Sequence, residues 1–170
     1  MKHANRSCRM WILSMACLLV GCQQTSPQQN YATEALGLTS ELTESGMRWG
    51  QEMRPWFEGE KVDIESAKRA HEKALQDVKN VRRKINTLTV PSDPDSQAFA
   101  QKLQAYLDWQ VELFDTEFRS YCEAAEQENP GSPETRQEIA MRLTSVYQDE
   151  LQRKQQLSAA VRKLGLNISP

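Results

Sequence analysis

The sequence predicts an all-α protein, an up-down-up-down four-helix bundle with long helices. Apolar residues recur at helical spacing in four segments, and no segment alternates with the period of a strand. The connections between these segments are short, which favours antiparallel packing of successive helices. The length of 170 residues is that of one domain. A three-helix bundle with a loosely attached first segment is the alternative.

The chain opens with a basic and then apolar segment. Lys2, Arg6 and Arg9 precede the apolar run Met10–Val20, which ends at a small residue and a cysteine. A basic start, a short apolar stretch and a small residue at its end predict a secretory signal peptide over residues 1–21. The run is too short for a membrane span, which takes about 20 apolar residues.

The end of this leader, Leu19-Val20-Gly21-Cys22, resembles the lipobox of bacterial lipoproteins. The resemblance implies that Cys22 becomes the lipidated first residue of the mature chain and anchors it in a membrane of the bacterial cell envelope. Gln23 follows the cysteine where Asp would imply retention in the inner membrane, so the resemblance favours the outer membrane and its periplasmic face. Ordinary cleavage nearby, followed by secretion, is the alternative.

Removal of residues 1–21 changes the composition of the chain. Three of the 21 Lys and Arg residues leave and all 23 acidic residues stay, so the net charge becomes −5, which argues against nucleic-acid binding. Cys8 and Cys17 also leave, and Cys122 is then the only thiol besides Cys22, so an internal disulfide is excluded. We expect Cys122 to be buried; pairing between two chains is the alternative.

Residues 22–30 are polar and contain a proline, which predicts a flexible tether ahead of a helical domain over residues 31–170. The first helix is predicted from about Tyr31 to Arg54, with Pro55 ending it. Three glycines weaken its helical propensity: Gly37, Gly46 and Gly50.

The other three helices carry sequence signals at their ends. The second is predicted from an N-cap at Asp63 to Thr89. The third and fourth begin with a capping residue followed by proline at the first helical position, in Ser92-Asp93-Pro94 and Ser132-Pro133-Glu134. Asn129-Pro130-Gly131 ends the third helix. Gly165, with Leu166 behind it, predicts a Schellman ending of the fourth.

A rise of about 1.5 Å per residue places one residue of each helix at the same height in the bundle. These residues are Trp49, His71, Gln110 and Tyr147, with Glu150 one turn below Tyr147 as a hydrogen-bond partner for His71. We interpret them as a buried polar layer that fixes the register of the helices. A pocket for a metal, a haem or a small apolar ligand, centred on His71, is the functional alternative.

Two further features lie near the ends of the bundle. Trp56 and Phe57 fall in the predicted distal loop, Pro55–Val62. We expect them to fold back and close the bundle end; a contact patch for a partner is the alternative. The basic cluster Arg82–Lys84 near the membrane end is expected on a solvated face, with contact to anionic head groups as the alternative.

The sequence carries none of the hydrolase, metalloprotease, phosphate-loop or dinucleotide-binding motifs. We therefore expect no enzymatic activity and no cofactor. The interpretation is a lipid-anchored envelope protein whose bundle is a binding or assembly module for another envelope protein. The alternative is a ligand-binding bundle centred on His71.

Overall fold

The computed structural model describes residues 25–166 and confirms the all-α helical bundle, with no strand in that range. Its helices are α1 (Pro27–Glu58), α2 (Ile64–Asn86), α3 (Pro94–Leu113), α4 (Arg119–Gln127) and α5 (Pro133–Lys163). A π-helical turn, Phe114–Phe118, joins α3 to α4 without a break, so the five helices form four rods. No helix within the described range is both long and apolar enough to cross a membrane.

Contacts at the two ends of the bundle show that the rods alternate in direction. Gln29 at the start of α1 donates to the carbonyl oxygen of Gly165 beyond α5. Arg136 at the start of α5 donates to the carbonyl oxygen of Phe57 in the last turn of α1. Two ion pairs show that α2 and the α3–α4 rod are antiparallel. Lys68 near the start of α2 pairs with Glu126 near the end of α4, and Arg82 near the end of α2 pairs with Asp108 in α3.

Most of the predicted helix ends are confirmed. The side chains of Asp63, Asp93 and Ser132 each accept a hydrogen bond from the main-chain N–H three residues further on. At the end of α5, Gly165 has a φ of 77° and the N–H of Leu166 donates to Val161, which is the Schellman arrangement.

The first helix starts earlier than predicted. Ser26 caps it, Pro27 occupies its first turn, and the side chain of Gln29 reaches back to the N–H of Ser26. This reciprocal pair is a capping box, which satisfies two N–H groups at once. The tether predicted over residues 22–30 is therefore wrong from Pro27 onward, while residues 22–24 lie outside the described range.

The first helix also ends later than predicted, because Pro55 lies inside its last turn and does not terminate it. The helix continues through the fully buried Trp56 and stops at Gly59, whose φ of 88° is the left-handed conformation that glycine adopts without strain. Burial of the indole in this turn outweighs the main-chain hydrogen bond that a proline cannot donate.

The core is thick at both ends of the bundle and thin in its middle. At the end of the bundle where α1 begins and α5 ends (the proximal end), the core is built around Phe99 and Leu103. At the opposite, distal end it is built around Trp56 and Tyr121. Only Ala74, Val78 and Phe114 form the buried cluster between them. Helix α5 contributes Ile139 to the distal core and then no buried residue until Leu157. The middle of α5 thus stands off the core.

The π-helical turn lies in this thin middle region. The ring Nε2 of the buried His71 is 2.6 Å from the carbonyl oxygen of Phe114, the first residue of the turn. A π-helical turn disturbs the regular pairing of an α-helix, and each buried carbonyl still requires a donor. His71 supplies one from α2. The same turn brings Phe118 parallel to Trp49, with ring centroids 4.2 Å apart.

We predict that His71→Leu lowers the free energy of unfolding by about 0.5 to 1.5 kcal/mol, because the buried hydrogen bond to the Phe114 carbonyl is lost. His71→Gln keeps an N–H donor on a side chain of similar reach and should lose less. Urea unfolding of the two variants checks this. Equal stability of His71→Leu and the unsubstituted protein would show that the bond does not stabilise the fold.

Candidate functional site

A groove of about 820 Å³ lies between α1 and α5. We call it the α1–α5 groove. One wall is formed by small residues of α1, spaced so that they share one helical face: Thr39, Thr43, Gly46 and Gly50. The opposite wall is formed by residues of α5: Val146, Glu150, Leu151, Lys154, Ser158 and Arg162.

The floor of the groove is the core itself. It is lined by buried apolar side chains of α2 and of the α3–α4 rod, all less than one tenth exposed: Ala74, Val78, Leu103, Leu113 and Phe114. At the rim, Met47 is 58% exposed and Leu151 is 46% exposed. The groove therefore has an exposed rim and an apolar floor whose side chains are almost fully covered.

The groove is open because neither wall carries a side chain that bridges it. A Cβ atom placed on Gly46 or Gly50 would meet no atom within 4 Å. Across the gap, no residue of α5 between Ile139 and Leu157 is buried, although the segment includes Val146 and Leu151. Helix α1 accordingly packs mainly on α2, and α5 mainly on α3.

A polar cluster interrupts the α3–α5 side of the groove. The hydroxyl of Tyr106 donates to Glu150 Oε1 at 3.3 Å and accepts from the amide of Gln110 at 3.0 Å. Lys154 Nζ lies 2.7 Å from the same carboxylate oxygen. Burial, reinforced by the charge of Glu150, raises the pKa of Tyr106 well above its usual value. The phenol is therefore a neutral hydrogen-bond donor at any physiological pH.

The structure brings only two members of the predicted polar layer together, Gln110 and Glu150, which share the hydroxyl of Tyr106. Glu150 bonds to Tyr106 rather than to His71, and His71 bonds to the carbonyl of Phe114. Tyr147 is 65% exposed, so its predicted place in the core is wrong. Equal height along the bundle did not imply a shared direction, because the middle of α5 stands off the core and the π-helical turn offers His71 a nearer acceptor.

The remaining member of that layer, Trp49, is buried on the distal side of the groove floor. Its indole Nε1 donates to Cys122 Sγ at 3.5 Å. Cys122 is 4% exposed, which confirms that the thiol is buried. Burial raises its pKa, so little of the reactive thiolate forms at neutral pH.

The alternative site centred on His71 gains no support. His71 is not among the lining residues of the groove, and its Nε2 is engaged by the main chain. Within residues 25–166 no group of three or more His, Cys, Asp or Glu side chains is arranged to hold a metal ion.

Trp56 and Phe57 lie in the last turn of α1, not in the predicted loop, and the expectation that they close the bundle end is confirmed, whereas the alternative of an exposed contact patch is wrong. Trp56 is fully buried, and its Nε1 donates to the carbonyl oxygen of Glu128 at 2.8 Å. A Cβ on Gly131 would clash with its indole, so the turn before α5 fits only glycine there. Phe57 meets the Trp56 ring edge to face at 5.6 Å. The pair closes the distal end of the bundle.

The basic cluster of α2 lies on a solvated face, as expected. Arg82 pairs with Asp108 at 2.6 Å and Lys84 with Glu41 at 2.9 Å, each with both side chains substantially exposed. Exposed pairs of this kind contribute little stability.

Comparison with known family models, with curated proteins and with solved structures finds no match to this chain. Cys22 and the leader before it lie outside the described residues. The groove is therefore interpreted from its own geometry and chemistry.

Sequence reasoning missed the groove, although a signal for it exists. The small residues of the α1 wall recur at intervals of four, three and four, from Thr39 to Gly50. Opposite them, the apolar positions of α5 between Ile139 and Leu157 are interrupted by polar residues. The small residues leave α1 without side chains that reach α5, and the broken apolar face of α5 supplies few in return, so the two helices have little contact.

We predict that Trp56→Ala lowers the free energy of unfolding by about 3 to 5 kcal/mol, because a fully buried indole leaves a cavity and an unpaired carbonyl. Phe57→Ala, at a half-buried position, should cost clearly less. Thermal or urea unfolding checks this. If both substitutions left stability unchanged, the pair would not be closing the bundle end.

Proposed function

We propose that the protein is a lipoprotein of a bacterial cell envelope, anchored through Cys22, with the α1–α5 groove as its binding site. Its helical bundle is a binding module that holds another molecule without transforming it. The observation that carries the proposal is the groove: the bundle is closed at both ends and open along α1 and α5 over a floor of core side chains.

The energetics of the groove favour an occupant. Apolar surface in water costs about 25 cal/mol for each Å², and Met47 and Leu151 are both exposed at the rim. A bound apolar molecule would recover part of this free energy. The volume of about 820 Å³ falls in the range of about 300 to 1,000 Å³ typical of ligand sites.

The polar groups of the groove suit orientation of a ligand rather than reaction with it. Tyr106 is a neutral donor, Gln110 is an uncharged amide, and Glu150 is paired with Lys154. Each can bind a polar group at the edge of an apolar molecule, which is how such sites fix the position of a ligand.

The start of α1 determines how far the bundle would lie from an anchor at Cys22. Helix α1 begins at Pro27, five residues after Cys22. Even a fully extended chain of that length spans no more than about 18 Å. A lipid on Cys22 would therefore hold the proximal end of the bundle close to the membrane surface.

For the groove, we predict that Gly46→Leu and Gly50→Leu fill it and weaken binding of the uncharged apolar dye 1-N-phenylnaphthylamine. The loss should be about tenfold, which corresponds to about 1.4 kcal/mol. The dye is titrated by fluorescence into the mature chain carrying Cys22→Ser. A Cβ is free of contacts at all three α1 glycines, but Gly37 does not line the groove. Gly37→Leu is thus the matched control, and equal dye binding by all three variants would contradict the proposal.

For the anchor, we predict that the full chain, expressed in a bacterial host fed radiolabelled palmitate, incorporates label and sediments with membranes. Cys22→Ser should abolish both properties, because it removes the acylated thiol. Cys122→Ala should keep both, since that thiol is buried in the bundle. Label retained in Cys22→Ser would contradict lipidation at this residue.

A further inference from the structure

We infer that the α1–α5 groove accepts one hydrocarbon chain of a fatty acid, with the carboxylate at Arg162 and the chain running over the floor towards Trp49. The inference rests on the proposed binding function and names the ligand class for the same groove. It follows from the width of the groove, its length and its charge.

The width of the groove excludes a bulky occupant from its floor. The floor side chains Val78, Leu103 and Phe114 are at most 4% exposed, although they line the groove, so little of their surface is open to an occupant. An α-helix with its side chains is about 10 to 12 Å across and would rest on the rim. A single methylene chain is much thinner and can lie between the partly exposed apolar side chains of the two walls, such as Leu36, Leu42 and Val146.

The length of the groove matches an acyl chain. On α1 its wall runs from Leu36 to Gly50, and on α5 from Val146 to Arg162. At a rise of about 1.5 Å per residue these walls are about 21 and 24 Å long. The acyl chains of one leaflet fill half of a hydrocarbon core of about 30 Å. One extended chain therefore fits within the groove.

The charges place the carboxylate at the proximal end. The charged residues that line the groove are Glu150, Lys154 and Arg162. Glu150 and Lys154 neutralise each other at 2.7 Å. Among the described residues, no acidic group lies within 4 Å of the Arg162 guanidinium, which is exposed in the last turn of α5. It is the groove's available partner for an anion, at the end that the Cys22 anchor would hold near the membrane.

The test is displacement of 1-N-phenylnaphthylamine by straight-chain alkanoates of increasing length, all below their micelle concentrations, from the mature chain carrying Cys22→Ser. Each added methylene is worth about 0.8 kcal/mol when buried, so the affinity should rise about fourfold per methylene until the chain fills the groove. Gly50→Leu should stop this rise at a shorter chain, whereas Gly37→Leu should leave it unchanged.

The head-group assignment is tested with dodecanoate against dodecan-1-ol. Arg162→Gln should weaken dodecanoate about fivefold, the upper range for an exposed ion pair, and leave dodecan-1-ol unchanged. Lys163→Gln, on the same turn but outside the groove, should change neither. Equal affinity for acid and alcohol, with no effect of Arg162→Gln, would overturn the placement of the carboxylate.

The failure of this inference can be told apart from failure of the proposed function. Suppose that the dye depends on Gly46 and Gly50 but no alkanoate displaces it. The groove is then a binding site for another class of molecule, such as an amphipathic peptide, and the fatty-acid inference is wrong. If filling the groove does not affect the dye at all, the proposed function itself is wrong.

Discussion

At the middle of the bundle, His71 of α2 donates a hydrogen bond to the carbonyl oxygen of Phe114, and the geometry of the third rod is built around that bond. The π-helical turn that begins at Phe114 has an irregular hydrogen-bond pattern, and such a turn persists in a core only when its polar groups find partners. The turn sets the direction in which α4 continues. Phe118 consequently stacks on Trp49, and Tyr121 packs into the distal core.

The same arrangement separates two packed ends by a thin middle. The distal end is closed by Trp56 and the proximal end by Phe99 and its neighbours, so α5 is held firmly at its two ends. Between them α5 spans the gap, and the glycines of α1 leave the space opposite it empty. Less apolar surface is therefore buried between α1 and α5 than between the other neighbouring rods, and the space left there is the α1–α5 groove. The well-packed ends stabilise the bundle, and the poorly packed middle leaves the groove open.

Local signals allowed much of the fold to be predicted from the sequence. The N-caps could be predicted because a cap needs only its own side chain and the next turn of main chain. They are Asp63, Asp93 and Ser132. The end of α1 could not be predicted from Pro55, because the helix continues beyond it to bury Trp56 in the core, and that burial is a tertiary effect. Nor has the π-helical turn a recognised sequence signature. The polar layer was predicted wrongly because counting residues along a helix gives the height of Tyr147 and Glu150 in the bundle but not the direction in which each side chain faces.

Binding of a fatty acid in the α1–α5 groove is best tested by a crystal structure of the mature protein with 12-bromododecanoic acid. The anomalous signal of bromine locates the end of the chain without reference to any assumed pose. Binding in the groove would give a bromine peak between α1 and α5, over the floor near Trp49, with the carboxylate beside Arg162. A bromine peak elsewhere on the molecule, or α5 packed directly against the glycines of α1, would contradict it.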